Sequence, residues 1–250
     1  VNQENRVTTR KVENPNKKGN TAFIWAIAAV VAIALLVIGI IIYNGRNQRS
    51  EAMQEDMIDM SGITVEYADG EDVIKLAGDN PDAPMADLFE DFACSHCAEL
   101  HEATDAEMIE ALKAGDITVE LRPMVAQDRG TVGHATKSLA AFLALINHGD
   151  TNAAFTLRDY LYANQAQVFN SVDYDELADM AQDWGASKDA VNDIRDGKFE
   201  ETAKKIGEDN LNYQQDNTGD AWTPRVLIDG KDAEDLGAGR EDWVETLKNS

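Results

Sequence analysis

Hydrophobic and polar positions divide the chain into three textures. Over 22–43 no residue is charged, and Phe23, Ile24, Val30, Val31, Leu35, Leu36, Ile38 and Ile40 make the run strongly apolar. As a helix rising about 1.5 Å per residue it reaches roughly 33 Å, enough to cross a bilayer core. Trp25 and Tyr43 stand near its ends, where amphipathic rings favour the headgroup layer. The run is longer than the apolar stretch of a cleaved signal peptide, and Asn44, Gly45 and Arg46 follow it where a cleavage site needs small residues. A retained transmembrane helix over 22–43 is therefore expected, with a cleaved signal as the alternative.

The second texture begins at residue 62. Residues 63–67 and 73–76 read as short strands around Asp69-Gly70, a hairpin signal. Residues 85–92 predict a further strand that ends just before Cys94. A helix follows, with Cys97, Leu100, Met108, Ile109 and Leu112 apolar and Gly115 as its stop. Residues 117–121 alternate again, so strand, helix and strand form a βαβ unit and imply a parallel sheet.

The third texture is helical, over about 130–215. Ala135, Leu139, Phe142 and Ile146 make one apolar stripe, and Tyr174, Leu177, Ala178 and Ala181 another. Gly149, Gly185 and Gly197 are predicted stops and Ser187 an N-cap. Strand texture returns at 225–228, turns at Asp229-Gly230 and gives way to a last helix around Trp243, Val244 and Leu247. The expected architecture is a tail over 1–20, a transmembrane helix, a polar stalk over 44–61, and an α/β domain over 62–250 whose sheet is interrupted by a helical insertion.

Charge fixes the expected orientation. Five basic residues precede the apolar run and two follow it, which keeps the N-terminus in the cytoplasm and places the α/β domain outside the cell membrane. The chain of 250 residues carries a net charge of -24 with a pI near 4.3. Without a basic patch such a surface excludes nucleic acid as a partner.

Only two cysteines occur, in Cys94-Ser95-His96-Cys97, too few for the framework of a disulfide-stapled domain. Their place at a strand-to-helix junction suits redox chemistry. The exposed N–H groups and partial positive charge of a helix start stabilise a thiolate at Cys94. Cys97, one turn deeper, is expected to resolve the mixed disulfide, and His96 to favour the thiolate further. Zinc needs four ligands, and His101, His134 and His148 form no second pair, so no metal is expected. Haem attachment needs His after the second cysteine, where Ala98 stands. A purely structural staple across one helical turn constrains little. The one expected redox group is the Cys94–Cys97 pair, with no separate cofactor. His101 is expected on the solvated face of its helix, and the tryptophans in the core or, for Trp222, beside the site.

These residues resemble the DsbA-like branch of the thioredoxin superfamily, most closely its membrane-anchored actinobacterial type. The resemblance rests on 91–97 (Asp-Phe-Ala-Cys-Ser-His-Cys), on Thr223-Pro224 directly before the late strand, and on the helical block between them. It covers roughly 78–250 and implies a thioredoxin-like fold in which Pro224 is cis and holds Thr223 beside Cys94, with Trp222 in the substrate groove. It further implies action on cysteine-containing exported polypeptides and reoxidation by a quinone-linked membrane partner. Two positions depart from the pattern. Ser95 stands where many oxidases have Pro, and Leu88 stands six residues before Cys94, where many relatives place a proton-accepting carboxylate; Glu90 and Asp91 are the candidate substitutes. The leading expectation is a dithiol oxidase, with a reductase or isomerase of the same fold, or a binding module for unfolded exported chains, as alternatives.

Overall fold

The computed structural model describes residues 24–40, 57–68, 71–236 and 239–250. The chain divides into two units, 1–48 and 49–250, each described by itself. In the first, residues 24–40 form a helix, α1, with every residue exposed. Among the described residues no helix is long and apolar enough to cross a membrane. The ends of the predicted 22–43 span, the 1–20 tail, most of the 44–61 stalk and the Asp69-Gly70 turn lie outside them.

The second unit is built on a six-stranded sheet in the order β1-β2-β4-β3-β5-β6. β1 (Thr64–Glu66) and β2 (Ile74–Ala77) pair antiparallel. β3 (Met85–Glu90) leads into α2 (Ser95–Ala114), which returns the chain to β4 (Thr118–Pro123) parallel to β3. That pair is the only parallel one among the described strands. The parallel sheet implied by the sequence is thus a mixed sheet, because the hairpin arm β2 and the late strand β5 (Arg225–Ile228) flank the βαβ unit in the opposite sense. β6 (Lys231–Asp232) closes the edge.

Strand alternation sorts the two faces. Ala86 and Leu88 of β3 join Val119, Leu121, Val226 and Ile228 in the main core with Cys97, Leu100 and Met108 of α2 and with Trp243 of α9 (Trp243–Lys248). Phe89 faces the other way and packs with Met124, Leu227, Leu211 and Tyr213. The last two belong to α8 (Glu200–Thr218), the end of a helical insertion that comprises α3 (His134–Asn147), α4 (Thr151–Ala163), α5 (Gln165–Val168), α6 (Tyr174–Asp183), α7 (Lys188–Arg195) and α8. Ser187 caps α7 by accepting from the Ala190 N–H, as its sequence position predicts. Gly115 ends α2 in the left-handed conformation at φ 72, and a Cβ on neighbouring Gly78 would lie 2.2 Å from the Leu112 carbonyl oxygen. β2 can approach the end of α2 this closely only through glycine.

Three local expectations differ from the structure. β3 stops at Glu90 rather than 92, because the Asp91 carbonyl turns to accept the Cys94 N–H at 2.9 Å. Residues 57–61, expected as the end of the polar stalk, pack on the domain: the N–H groups of Ile58 and Met60 donate to Thr156 and Asn152, and Met60 is buried. His101, expected in solvent, is 7% exposed, because α4 packs against the face of α2 that carries it.

Candidate active site

The turn between β3 and α2 makes Cys94 the N-cap residue of a twenty-residue helix, in extended conformation at φ -93 and ψ 116. No acidic residue stands in the first helical turn, so nothing there offsets the positive end of the helix. Both cysteines are free thiols and both are buried. The Cys94 pKa falls from 9.0 to about 5. The Cys97 thiol, donating to the Cys94 sulfur, is the largest cause; Thr223 and the backbone N–H groups of Cys97 and His96 add to it and outweigh burial. Cys97 goes the opposite way: burial, reinforced by the Cys94 sulfur, drives its thiol far above the ordinary range. Two identical side chains one helical turn apart are thereby split into an anion and a thiol that holds its proton.

Ser95 and His96 are exposed on the first turn. His96 turns its ring to Glu99, with Nδ1 2.8 Å from Oε2, and this contact raises its pKa. Its backbone N–H bears on the Cys94 sulfur, and the charge of its ring and the Cys94 thiolate favour each other.

Thr223 and Pro224 are joined by a cis peptide bond, and the Cys94 sulfur lies 3.4 Å from the Thr223 carbonyl oxygen. Trp222 is half-exposed at 45% with the Arg225 guanidinium 3.7 Å above its ring. Arg225 forms a bidentate pair with Asp232 at 2.6 and 2.7 Å and also donates to Thr218 and to the Asp220 carbonyl. The Arg240 guanidinium donates to the Pro224 carbonyl at 3.3 Å. The loop facing Cys94 is therefore braced by two arginines that the sequence did not single out.

Glu90 and Asp91 are both buried, and each has its carboxylate committed. Both Glu90 oxygens accept from Arg158, at 2.9 and 2.7 Å. The Asp91 oxygens accept the N–H groups of Ala93 and Gln127, and burial raises its pKa to about 7. It is the Asp91 backbone N–H that donates to the Cys97 sulfur, at 3.4 Å.

Further residues come to the site from the insertion. Gln165 donates its amide to the carbonyls of Phe92 and Cys94. Arg158 bridges Glu90 and Asp105. Arg158 had a sequence signal, since it sits three residues after Phe155 and four before Tyr162 on an apolar helix face, where a cation must be paired. Gln165 had none. Among the described residues no group of histidine, cysteine and acidic side chains is arranged to hold a metal ion.

An activated thiol at a helix start, a resolving thiol below it and a carbonyl-bearing loop across from it serve thiol-disulfide exchange. The thioredoxin family model matches residues 76–249. Among solved structures, the chain is 35% identical to the MdbA protein, a thiol-disulfide oxidoreductase from Corynebacterium diphtheriae, over 77% of this chain and 96% of that one, at a TM-score of 0.71. It is 26% identical to the MdbA protein from Corynebacterium matruchotii, over 81% of this chain and 98% of that one, at a TM-score of 0.71. Reduced DsbA from Mycobacterium tuberculosis shares the fold at 12% identity and a TM-score of 0.51, over 72% of this chain and 98% of that one. No protein with a curated description matches the chain. The chain belongs to the thioredoxin family, in its branch of DsbA-like thiol-disulfide oxidoreductases.

Proposed function

We propose that this enzyme is a dithiol oxidase that forms disulfides in exported polypeptides through Cys94 and Cys97. The observation that carries the reading is the divergence of the two thiols, with Cys94 lowered to about 5 while Cys97 is raised. A thiolate stabilised in the reduced form makes the disulfide a stronger oxidant. In the forward step a substrate thiolate attacks the Cys94 sulfur, Cys97 leaves, and the substrate's second thiol releases Cys94. The oxidised substrate departs and the enzyme is left as the dithiol. Thr223 and Pro224 face the reacting sulfur, Trp222 offers an apolar surface beside it, and Ser95 and His96 tune the helix start. A quinone-linked membrane protein returns the pair to the disulfide.

The 22–43 segment anchors the protein and the α/β domain works on the outer side of the membrane. This is supported by the exposed apolar side chains of α1, among them Ile24, Trp25 and Leu35, which are costly to leave in water. Resistance to carbonate extraction, together with protease sensitivity of the C-terminal domain in intact cells, tests the topology.

Equilibration of the full chain in detergent against glutathione tests the direction of electron flow. A potential near -120 mV supports the oxidase, and one near -270 mV, the thioredoxin value, a reductase.

A further inference from the structure

Cys97 must gain a proton each time the disulfide opens and give one up each time it closes, yet it is 3% exposed. Cys97 borders a cavity of about 10 Å³, room for one water. Glu90, His101, Asp105, Arg158 and Pro224 form much of the remaining wall. Arg158 keeps its charge, raised well above the ordinary arginine value by Asp105 and Glu90 against the effect of burial. Glu90 is held by Arg158 at both oxygens, and Arg158 also keeps the Asp105 carboxyl below the ordinary range despite burial.

His101 is the remaining titratable wall. Its Nε2 lies 3.0 Å from Asp159 Oδ1, and the Asp159 side chain is 45% exposed. Its Nδ1 lies 3.3 Å from Asp105 Oδ1, near enough for charge attraction but off line for a hydrogen bond. A second, outer cleft of about 410 Å³ has Asp159, Asp105 and His101 itself in its walls. His101, with Asp105 beside it, thus lines both an inner cavity at Cys97 and an outer cleft at a half-exposed carboxylate.

We propose that His101, oriented by Asp159, is the proton port of Cys97, passing protons between the outer cleft and the inner cavity as Cys97 alternates between disulfide and thiol. The inference rests on Cys94 and Cys97 being the reacting pair. When a substrate thiolate attacks Cys94, the Cys94–Cys97 bond breaks and its electron pair goes to Cys97. The His101 imidazolium then gives its proton, across one water, to that thiolate and regains one from the cleft. On ring closure the Cys97 S–H proton goes to neutral His101 while the sulfur displaces the partner from Cys94 as a thiolate.

The groups facing His101 are Asp105 on its own helix, Arg158, Asp159 and Tyr162 on α4, and Glu90 at the end of β3. Burial alone lowers the His101 pKa, and so does Arg158; the carboxylates of Asp105 and Asp159 outweigh both, so the net shift is upward. The two carboxylates thus favour the imidazolium, the form that has a proton to give.

The test is ring closure in the full-length protein in detergent, started by mixing the reduced form with oxidised glutathione and followed across pH in H2O and D2O. His101→Asn retains a polar group for Asp159 but carries no proton. It should slow closure at pH 7 by roughly a hundredfold, the scale of general acid–base catalysis, abolish the histidine inflection and leave iodoacetamide alkylation of Cys94 unchanged. Asp159→Asn, at a half-exposed position, should keep the fold and move the inflection to lower pH. Wild-type closure rate and pH profile in His101→Asn overturn the proposal. If that variant does not fold, an unshifted inflection in Asp159→Asn overturns it instead. A wild-type protein that forms no mixed disulfide at all refutes the cysteine assignment itself, a result distinct from equal rates in wild type and variant.

Discussion

Gln165 donates its side-chain N–H to the carbonyl oxygen of Cys94 at 3.0 Å. The same amide reaches the Phe92 carbonyl at 2.9 Å, so the first residue of α5 fixes the turn that presents the reactive sulfur. The insertion is thereby part of the active-site scaffold rather than an appendage.

Replacing Gln165 by Ala leaves two carbonyls without that donor in a site closed to solvent. The expected cost is about 1–3 kcal/mol of stability, read from urea denaturation. Cys94 alkylation kinetics should become heterogeneous as the turn loses its fixed geometry.

Arg158→Leu removes the shared partner of Glu90 and Asp105 and strands two buried carboxylates. A loss of about 3–5 kcal/mol is expected. Arg158→Lys should recover only part of it, since an ammonium cannot make the two parallel bonds to Glu90. Thermal unfolding of the three proteins at pH 7 checks the order.

Cys97→Ser leaves the mixed disulfide at Cys94 without its resolving thiol. Disulfide-linked adducts with substrate chains should accumulate on non-reducing gels and map to Cys94 by mass spectrometry. Cys94→Ser should form none and should lower substrate oxidation to background.

The rate of Cys94 alkylation in the reduced protein should inflect near pH 5 rather than 9. The same shift sets a stability window. A thiol with a pKa of 9.0 unfolded and about 5 folded stabilises the folded reduced protein in full above pH 9, and the contribution is lost as pH falls through 5. Cys97, raised by burial, stays protonated through this window in the folded state. The stability of the reduced form relative to the disulfide form should therefore decline steadily from pH 8 to pH 5. Paired denaturation curves of the two forms measure it, and a difference independent of pH would sink the assignment.

Local patterns carried much of the fold because they report short-range physics. Alternation over 117–121 and the short apolar run over 226–228 mark two strands that are present as β4 and β5. Gly115 and Ser187 end and begin helices through their own backbone and side-chain bonds. The spacing of Cys94 and Cys97 puts one sulfur at a helix start and the other one turn inside it, wherever the helix is placed. The mixed sense of the sheet was hidden, because strand direction depends on which edges meet and not on residue alternation.

His101 shows the boundary between the two kinds of information. By itself a histidine four residues after Cys97 is a polar residue on a helix. Only the approach of α4, carrying Arg158 and Asp159, buries it and gives its Nε2 a partner. The same holds for Glu90 and Asp91, identical in promise along the chain, which are assigned to Arg158 and to backbone N–H groups by elements far away in sequence. Residue order alone carried the chemistry on offer, a reactive cysteine pair at a helix start. Tertiary packing decided which thiol ionises and which acids are already occupied, because desolvation and partner distance, the quantities that set a pKa, exist only once remote segments meet.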